Sequence, residues 1–163
     1  MANDVSDLID RLEASVRRLT WAMMDLDEDE LTEAPEEGEW SPIEILAHVK
    51  ACDDIMTGRI ATILTHPQPA PLANFDERAW AEIAGYTEAP VDQTLMALQR
   101  HRGEMVWQLR RLPADAWERA AQHETRGMLT LYDLVRTFLE HEEEHIAQLE
   151  DLFEDLDEPD EED

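Results

Sequence analysis

A four-helix bundle is the all-α fold class that the sequence predicts, on three observations. Apolar residues recur at steps of three and four in four separate stretches, as one face of an α-helix requires. No stretch alternates apolar and polar residues convincingly, as a strand would. Clusters of proline, glycine and charge lie between the four stretches, so each ends in a connection. A chain of 163 residues suits one domain with one core. Residues 1–154 are expected to form it, and the acidic segment 155–163 to be a disordered tail.

The first stripe is Val5, Leu8, Leu12, Val16, Leu19, Met23 and Leu26, and the charged segment Asp27 to Glu39 forms the loop after it. The second helix opens on WSPIEI. Ser41 is its N-cap, Pro42 its first residue and Glu44 the return arm of a capping box, while Trp40 and Ile45 form a hydrophobic staple. Its stripe runs through Ile45, Val49, Cys52, Met56, Ile60 and Ile63 until the prolines of THPQPAP break it. A long connection follows. Within it Asn74 to Tyr86 suits a short helix whose Phe75 and Trp80 pack on the outside of the bundle. Val91, Leu95, Leu98, Met105, Leu109 and Leu112 form the third helix, which Pro113 ends, and Ala114 to Met128 is read as a loop. Thr130 and Asp133 form a second capping box, with Leu129 and Leu134 as its staple, opening a fourth helix with the stripe Leu131, Leu134, Phe138, His141, His145, Leu149 and Leu152.

Forty acidic against thirteen basic residues give a formal charge of −27, which disfavours nucleic acid because like charges repel and no counterions are released. Twelve of the thirteen basic residues are arginine and the one lysine is Lys50, a balance compatible either with life in concentrated salt or with an ordinary acidic protein. Cys52 is the single cysteine, so no intrachain disulfide forms, and the N-terminal stretch has no secretory h-region. A reducing cytoplasm is the expected compartment. No window reaches the roughly 18 consecutive apolar residues of a membrane span.

FLEHEEEHIAQL places His141 and His145 one helical turn apart, where the stripe expects apolar side chains, so both are expected to project into the bundle, with Glu142, Glu143 and Glu144 mostly on other faces. His48, three residues after Ile45 and four before Cys52, brings a third imidazole to the inward side of the second helix. A single inward histidine is more often a hydrogen-bonded core residue. Three aimed at one interior leave unmet polar groups that a divalent cation satisfies by accepting their lone pairs. His48, His141 and His145 are therefore the expected metal ligands, with at least one coordination position open to water or substrate.

EWSPIEILAHV, NFDERAW, LQRHRGEMVWQLRRLPADAWERA and GMLTLYDLVRTFLEHEEEHIAQL together resemble the DinB/YfiT-like superfamily, nearly throughout Trp40 to Leu152. The resemblance implies an up-down-down-up bundle with its long crossover between the second and third helices, often a dimer. It also implies zinc or nickel on histidines matching His48, His141 and His145, and an activity such as a transferase or isomerase using a low-molecular-weight thiol.

This chain leaves alternatives open. Cys52 is either a fourth ligand, closing the site around a structural metal, or a packed thiol. His101, beside Arg100 and Arg102, is read as a surface residue before a proton carrier, and His66 and His123 as loop residues without partners at ligand spacing. Gln148 is a candidate to orient a ligand, while Tyr132 and Trp107 are read as packing. Glu142 and His145 make one E-x-x-H, without the second copy that a di-iron bundle needs. The leading expectation is an enzyme acting on a small molecule, with a metal-activated thiol attacking an electrophile. The other is a non-catalytic metal-binding homodimer of the stress response.

Overall fold

The computed structural model describes residues 2–24 and 26–156. Four long helices form the bundle: α1 (Ala2–Met24), α3 (Pro42–Thr65), α5 (Val91–Arg110) and α6 (Leu131–Leu156). Two short helices, α2 (Glu28–Thr32) and α4 (Glu77–Ala84), lie in the connections, with strands β1 (Ala70–Leu72), β2 (Ala120–His123) and β3 (Gly127–Thr130). A 3-10 turn, Ala114–Glu118, follows α5.

Cross-helix contacts fix the helix directions. Arg11 pairs with Glu143 and Arg18 with Glu150, so residue numbers rise together and α1 runs parallel to α6. Arg110 reaches Asp10 and Glu13, while Gln99 donates to Thr20, so α5 runs against α1. Ile45, Leu46 and Val49 share one buried cluster with Leu95 and Leu98 of α5 and with Ile146 and Leu149 of α6. Met56, Ile60 and Ile63 share the other with Met105, Val106 and Leu109 and with Leu131 to Leu139. Hence α3 is parallel to α5 and antiparallel to α6, the up-down-down-up order. Parallel neighbours need a crossover as long as the bundle, and residues 66–90 supply it, with α4 packed on α3 through Ala47, Ala51 and Ala81. Phe75 and Trp80 stay outside, as expected. Among the described residues no helix is long and apolar enough to cross a membrane.

Both expected capping boxes form. The Glu44 carboxylate accepts from Ser41 N–H at 2.9 Å, with Trp40 packed beside the cluster that holds Ile45. Asp133 accepts from Thr130 N–H at 3.0 Å, and Thr130 Oγ1 accepts from Asp133 N–H at 3.1 Å. Thr130→Ala removes one arm of the second box and is expected to lower stability by about 1 kcal/mol, read as a shift of the urea midpoint with unchanged slope.

Three features of the connections and the C-terminal end differ from the sequence expectation. The segment Asp27–Glu39 contains the turn α2, because Asp27 accepts from the N–H groups of Asp29 and Glu30 while Glu30 reaches back to Asp27 N–H at 2.7 Å. The segment read as a loop, Ala114 to Met128, holds a 3-10 turn and most of a hairpin in which β2 pairs antiparallel with β3 and parallel with β1. These strands are three or four residues long, too short for alternation to register. Gly127, at φ 77°, is the left-handed residue that closes the three-residue hairpin loop. Of the expected tail, Asp155 and Leu156 continue α6, and 157–163 lie outside the described residues.

The largest correction lies in the core of α6. The stripe does not pass through His141 and His145. It passes through Phe138, Glu142, Ile146 and Leu149, and Glu142 is buried. Each bundle helix contributes one residue to a polar layer between the two apolar clusters: Ser15, Asp53, Arg102 and Glu142. Arg102 grips Glu142 with both ends of its guanidinium, Nη1 at 2.9 Å and Nη2 at 2.6 Å. It also donates to Asp53 at 3.2 and 3.3 Å, to Ser15 Oγ at 3.0 Å and to Leu12 O at 3.0 Å. An ion pair is tolerated at this depth because nearly every donor has an acceptor. Glu142 is thus held inward, which turns its neighbour His141 toward the α3–α6 seam.

Candidate metal centre

His48 comes from the second turn of α3, and His141 and His145 from the middle of α6; the three rings meet on the outer seam between these helices. Nε2 of His141 lies 3.0 Å from Nε2 of His48 and 3.3 Å from Nε2 of His145. The expectation that they converge therefore holds, although they do so at the rim rather than in the core. The His141 side chain is 47% exposed, so the meeting point opens to solvent. Trp40 lines it, stacked on His145 with centroids 5.5 Å apart and tilted against His48 at 4.9 Å, and the Arg78 guanidinium covers Trp40. An open cleft of about 670 Å³ beside His145 is lined by Trp40, Gln148, Glu36, Glu39 and Asp151.

Three converging nitrogens have too few protons for mutual hydrogen bonding. Gln148 Oε1 lies 3.0 Å from Nδ1 of His145, and with the amide in this orientation it accepts the Nδ1 proton. Nε2 of a neutral His145 is then a bare lone pair. His141 Nε2, if protonated, has one hydrogen to offer to His145 and His48. Nδ1 of His48 is buried with no partner among the described residues, so either tautomer of His48 leaves one ring nitrogen unsatisfied. Extra protons on His48 or His141 are disfavoured. Burial, then His145 and His141, push His48 down from 6.5 to about 4, and burial, then His145, also lowers His141.

A cation resolves the shortage among the Nε2 atoms by accepting their lone pairs, whereas Nδ1 of His48 has no partner among the described residues with or without it. Nitrogens about 2.0–2.1 Å from one ion stand about 3.3–3.4 Å apart in a tetrahedron and about 2.9 Å apart at right angles. The observed 3.0 and 3.3 Å fall in this range. These residues therefore fit a divalent ion, with Gln148 positioned to hold the His145 tautomer, as metal-bound histidines require. Gln148→Ala is expected to weaken metal affinity about 10–100-fold, measured by chelator competition, with the fold unchanged by circular dichroism.

Cys52 is half-buried against the apolar cluster, with Sγ 3.5 Å from Nε2 of His48, and His48, Cys52 and His141 each offer a ligand atom within 4.8 Å of the others. Burial, before the nearby Glu77 and Glu142, pushes its thiol up to about 12, so it stays protonated near neutral pH.

The depressed His48 value carries a stability consequence. Between about pH 6.5 and the native value near 4, the unfolded chain binds a proton that the native chain excludes, so native stability falls as pH drops through this window. His141 acts in the same direction. In urea titrations of metal-free protein, His48→Ala is expected to lose less stability than wild type between about pH 7 and pH 5.

The other histidines separate. His66 caps the C-terminus of α3. His123 is buried in β2 rather than lying in a loop, with Nε2 3.2 Å from Arg59 Nη2. His101 is half-buried, 3.5 Å from Asp53 Oδ2 and 3.7 Å from Asp54 Oδ1. That trio gathers potential ligands, but Arg102 and Lys50 already neutralise its carboxylates. Tyr132 packs on the core as expected, whereas Trp107 is exposed and outside the core clusters, with the Arg111 guanidinium over its ring. Sequence reading missed the Arg102 layer, although a buried arginine in a 3.6-residue pattern between Leu98 and Met105 was the available signal.

Known proteins resemble this chain along most of its length. YfiT of Bacillus subtilis, provisionally named a metal-dependent hydrolase, is 26% identical over 144 residues, covering 86% of this chain and 79% of its own. A similarly named protein of Oceanobacillus iheyensis is 25% identical over 146 residues, covering 90% and 83%. The solved YfiT structure superposes with a TM-score of 0.87 at 23% identity, covering 96% of this chain and 89% of that one. A mycothiol-dependent maleylpyruvate isomerase shares the fold at a TM-score of 0.64 and 17% identity, covering 89% of this chain and 60% of that one. The model of the DinB superfamily matches residues 11–149, from Arg11 in α1 to Leu149 in α6, and the chain belongs to that superfamily.

Proposed function

We propose that this protein is a divalent-metal-dependent enzyme, with His48, His141 and His145 as the ligands and a small nucleophile activated at the solvent-facing side of the ion. The carrying observation is the meeting of three imidazole rings, with centroids 4.6–5.3 Å apart and Nε2 of His141 close to Nε2 of both His48 and His145, with fewer protons than their contacts need. Such an ion, when bound, supplies Lewis acidity that lowers the pKa of a coordinated water or thiol toward neutrality. Imidazole donors suit zinc and nickel. The chain's own residues prepare the site. Gln148 keeps the His145 lone pair on Nε2, Trp40 holds the His145 and His48 rings, and the Arg102–Glu142 grip fixes the rotation of α6.

The finer reading is transfer of a low-molecular-weight thiol to an electrophile, supported by the fold shared with the mycothiol-dependent isomerase. The names of the Bacillus and Oceanobacillus relatives support water as the nucleophile instead. Protein loaded with zinc or nickel, assayed on a chromogenic ester and on a chlorodinitrobenzene with and without thiol, separates these readings. Thiol-dependent consumption of the aryl chloride, lost in His48→Ala, supports transfer; thiol-independent ester cleavage supports hydrolysis. A second reading, a metal-stabilised non-catalytic dimer, is favoured by the approach of Cys52 Sγ to His48. It is supported if both assays are blank and Cys52→Ala loses metal.

A further inference from the structure

On α3, His48, Cys52, Ile55 and Arg59 follow one another at steps of four, three and four, so Arg59 shares the face of the histidine site about 16 Å along the helix. Arg59 is half-buried and, like the half-buried Arg119, forms no ion pair with a carboxylate among the described residues, although Glu77 lies close enough to act on it. Its Nη2 donates to Ala73 O at 3.2 Å and lies 3.2 Å from Nε2 of His123.

A guanidinium only donates, so Nε2 of His123 accepts from Arg59, and the Nδ1 proton then has the Thr125 hydroxyl oxygen, 3.3 Å away, as its acceptor.

Arg59 also lines a cavity of about 430 Å³ walled by Ile55, Leu72, Phe75 and Trp80. The carboxylate there, Asp54, is already engaged by Lys50, Tyr86 and the Trp80 indole N–H. A cavity of this size, apolar and aromatic with one cationic fork, suits a small molecule with a flat apolar body and one anionic head.

We infer that Arg59 is the anion-recognition residue of a substrate pocket on the same face of α3 as the histidine site, which takes an aromatic or apolar small molecule bearing a carboxylate or phosphate. Calling that molecule a substrate rests on the proposed enzymatic reading; the preference for an anion does not.

The test is calorimetric titration of benzoate, phenyl phosphate and neutral benzyl alcohol into the full chain near physiological salt, with Trp80 fluorescence as a second readout. Wild type is expected to bind at least one of the two anions about tenfold or more tightly than the alcohol, and which anion wins identifies the head group. Arg59→Gln is expected to abolish the preference, Arg59→Lys to keep part of it, and His48→Ala to keep it whole. Equal binding of anions and alcohol by wild type overturns the inference, whether or not the Arg59 variants fold. So does an unchanged preference in folded Arg59→Gln. An anion preference in a protein without activity sinks the enzymatic reading alone, whereas an active enzyme indifferent to substrate charge sinks the pocket alone.

Discussion

Replacing Arg102 with methionine is expected to destabilise the protein by about 3–5 kcal/mol, the largest effect of any single substitution. Methionine matches the shape of the side chain but removes every donor from Asp53, Glu142, Ser15 and the Leu12 carbonyl at once. Two carboxylates are then buried without a counterion, and burial already pushes Asp53 up from its ordinary range while Arg102 is present. The cost is therefore mostly the orphaned charges rather than the lost attraction. This distinction is measurable. The triple variant Arg102→Met, Asp53→Leu, Glu142→Leu leaves no orphan and is expected to recover most of the loss, as buried ion pairs replaced by apolar groups do. Urea unfolding of the single and triple variants checks this; a single variant within about 1 kcal/mol of wild type would mean the layer is hydrated or loosely held.

The second large effect is expected at His141, which makes both close Nε2 contacts. Elemental analysis of purified His141→Ala and His48→Ala should find only traces of metal where wild type holds about one ion per chain. Because His141 is half exposed and outside the apolar clusters, its removal should leave the metal-free fold nearly as stable as wild type. The metal-dependent part should vanish. Wild type should gain about 2.7 kcal/mol at a free ion concentration 100 times its Kd, and the variants nothing.

Helices, caps and convergence of the site were legible in the sequence because each rests on local chemistry. Ser41 with Glu44 and Thr130 with Asp133 announce helix starts within four residues, and the three histidines stand at fixed turns from buried neighbours. Depth was not legible. Periodicity assigns a face but cannot choose between adjacent positions, and His141 and Glu142 differ by one residue. The choice was settled by Arg102, forty residues away on another helix, whose need for a carboxylate drew Glu142 inward and left the histidines at the seam. The strands were hidden for another reason: β1 and β2 are short segments that exist only because a crossover and a hairpin lie side by side. The pairing of Arg59 with His123 depends on that same sheet and left no local trace in the sequence.

The most direct test of the central claim is X-ray absorption at the metal edge of protein loaded with one equivalent of zinc. Three imidazole nitrogens at about 2.0–2.1 Å with one or two lighter oxygen neighbours are the expected result, reduced to two imidazoles or no bound ion in His145→Ala. Fewer than three imidazoles in wild type, or sulfur at about 2.3 Å completing a closed shell, would contradict an open site built by α3 and α6.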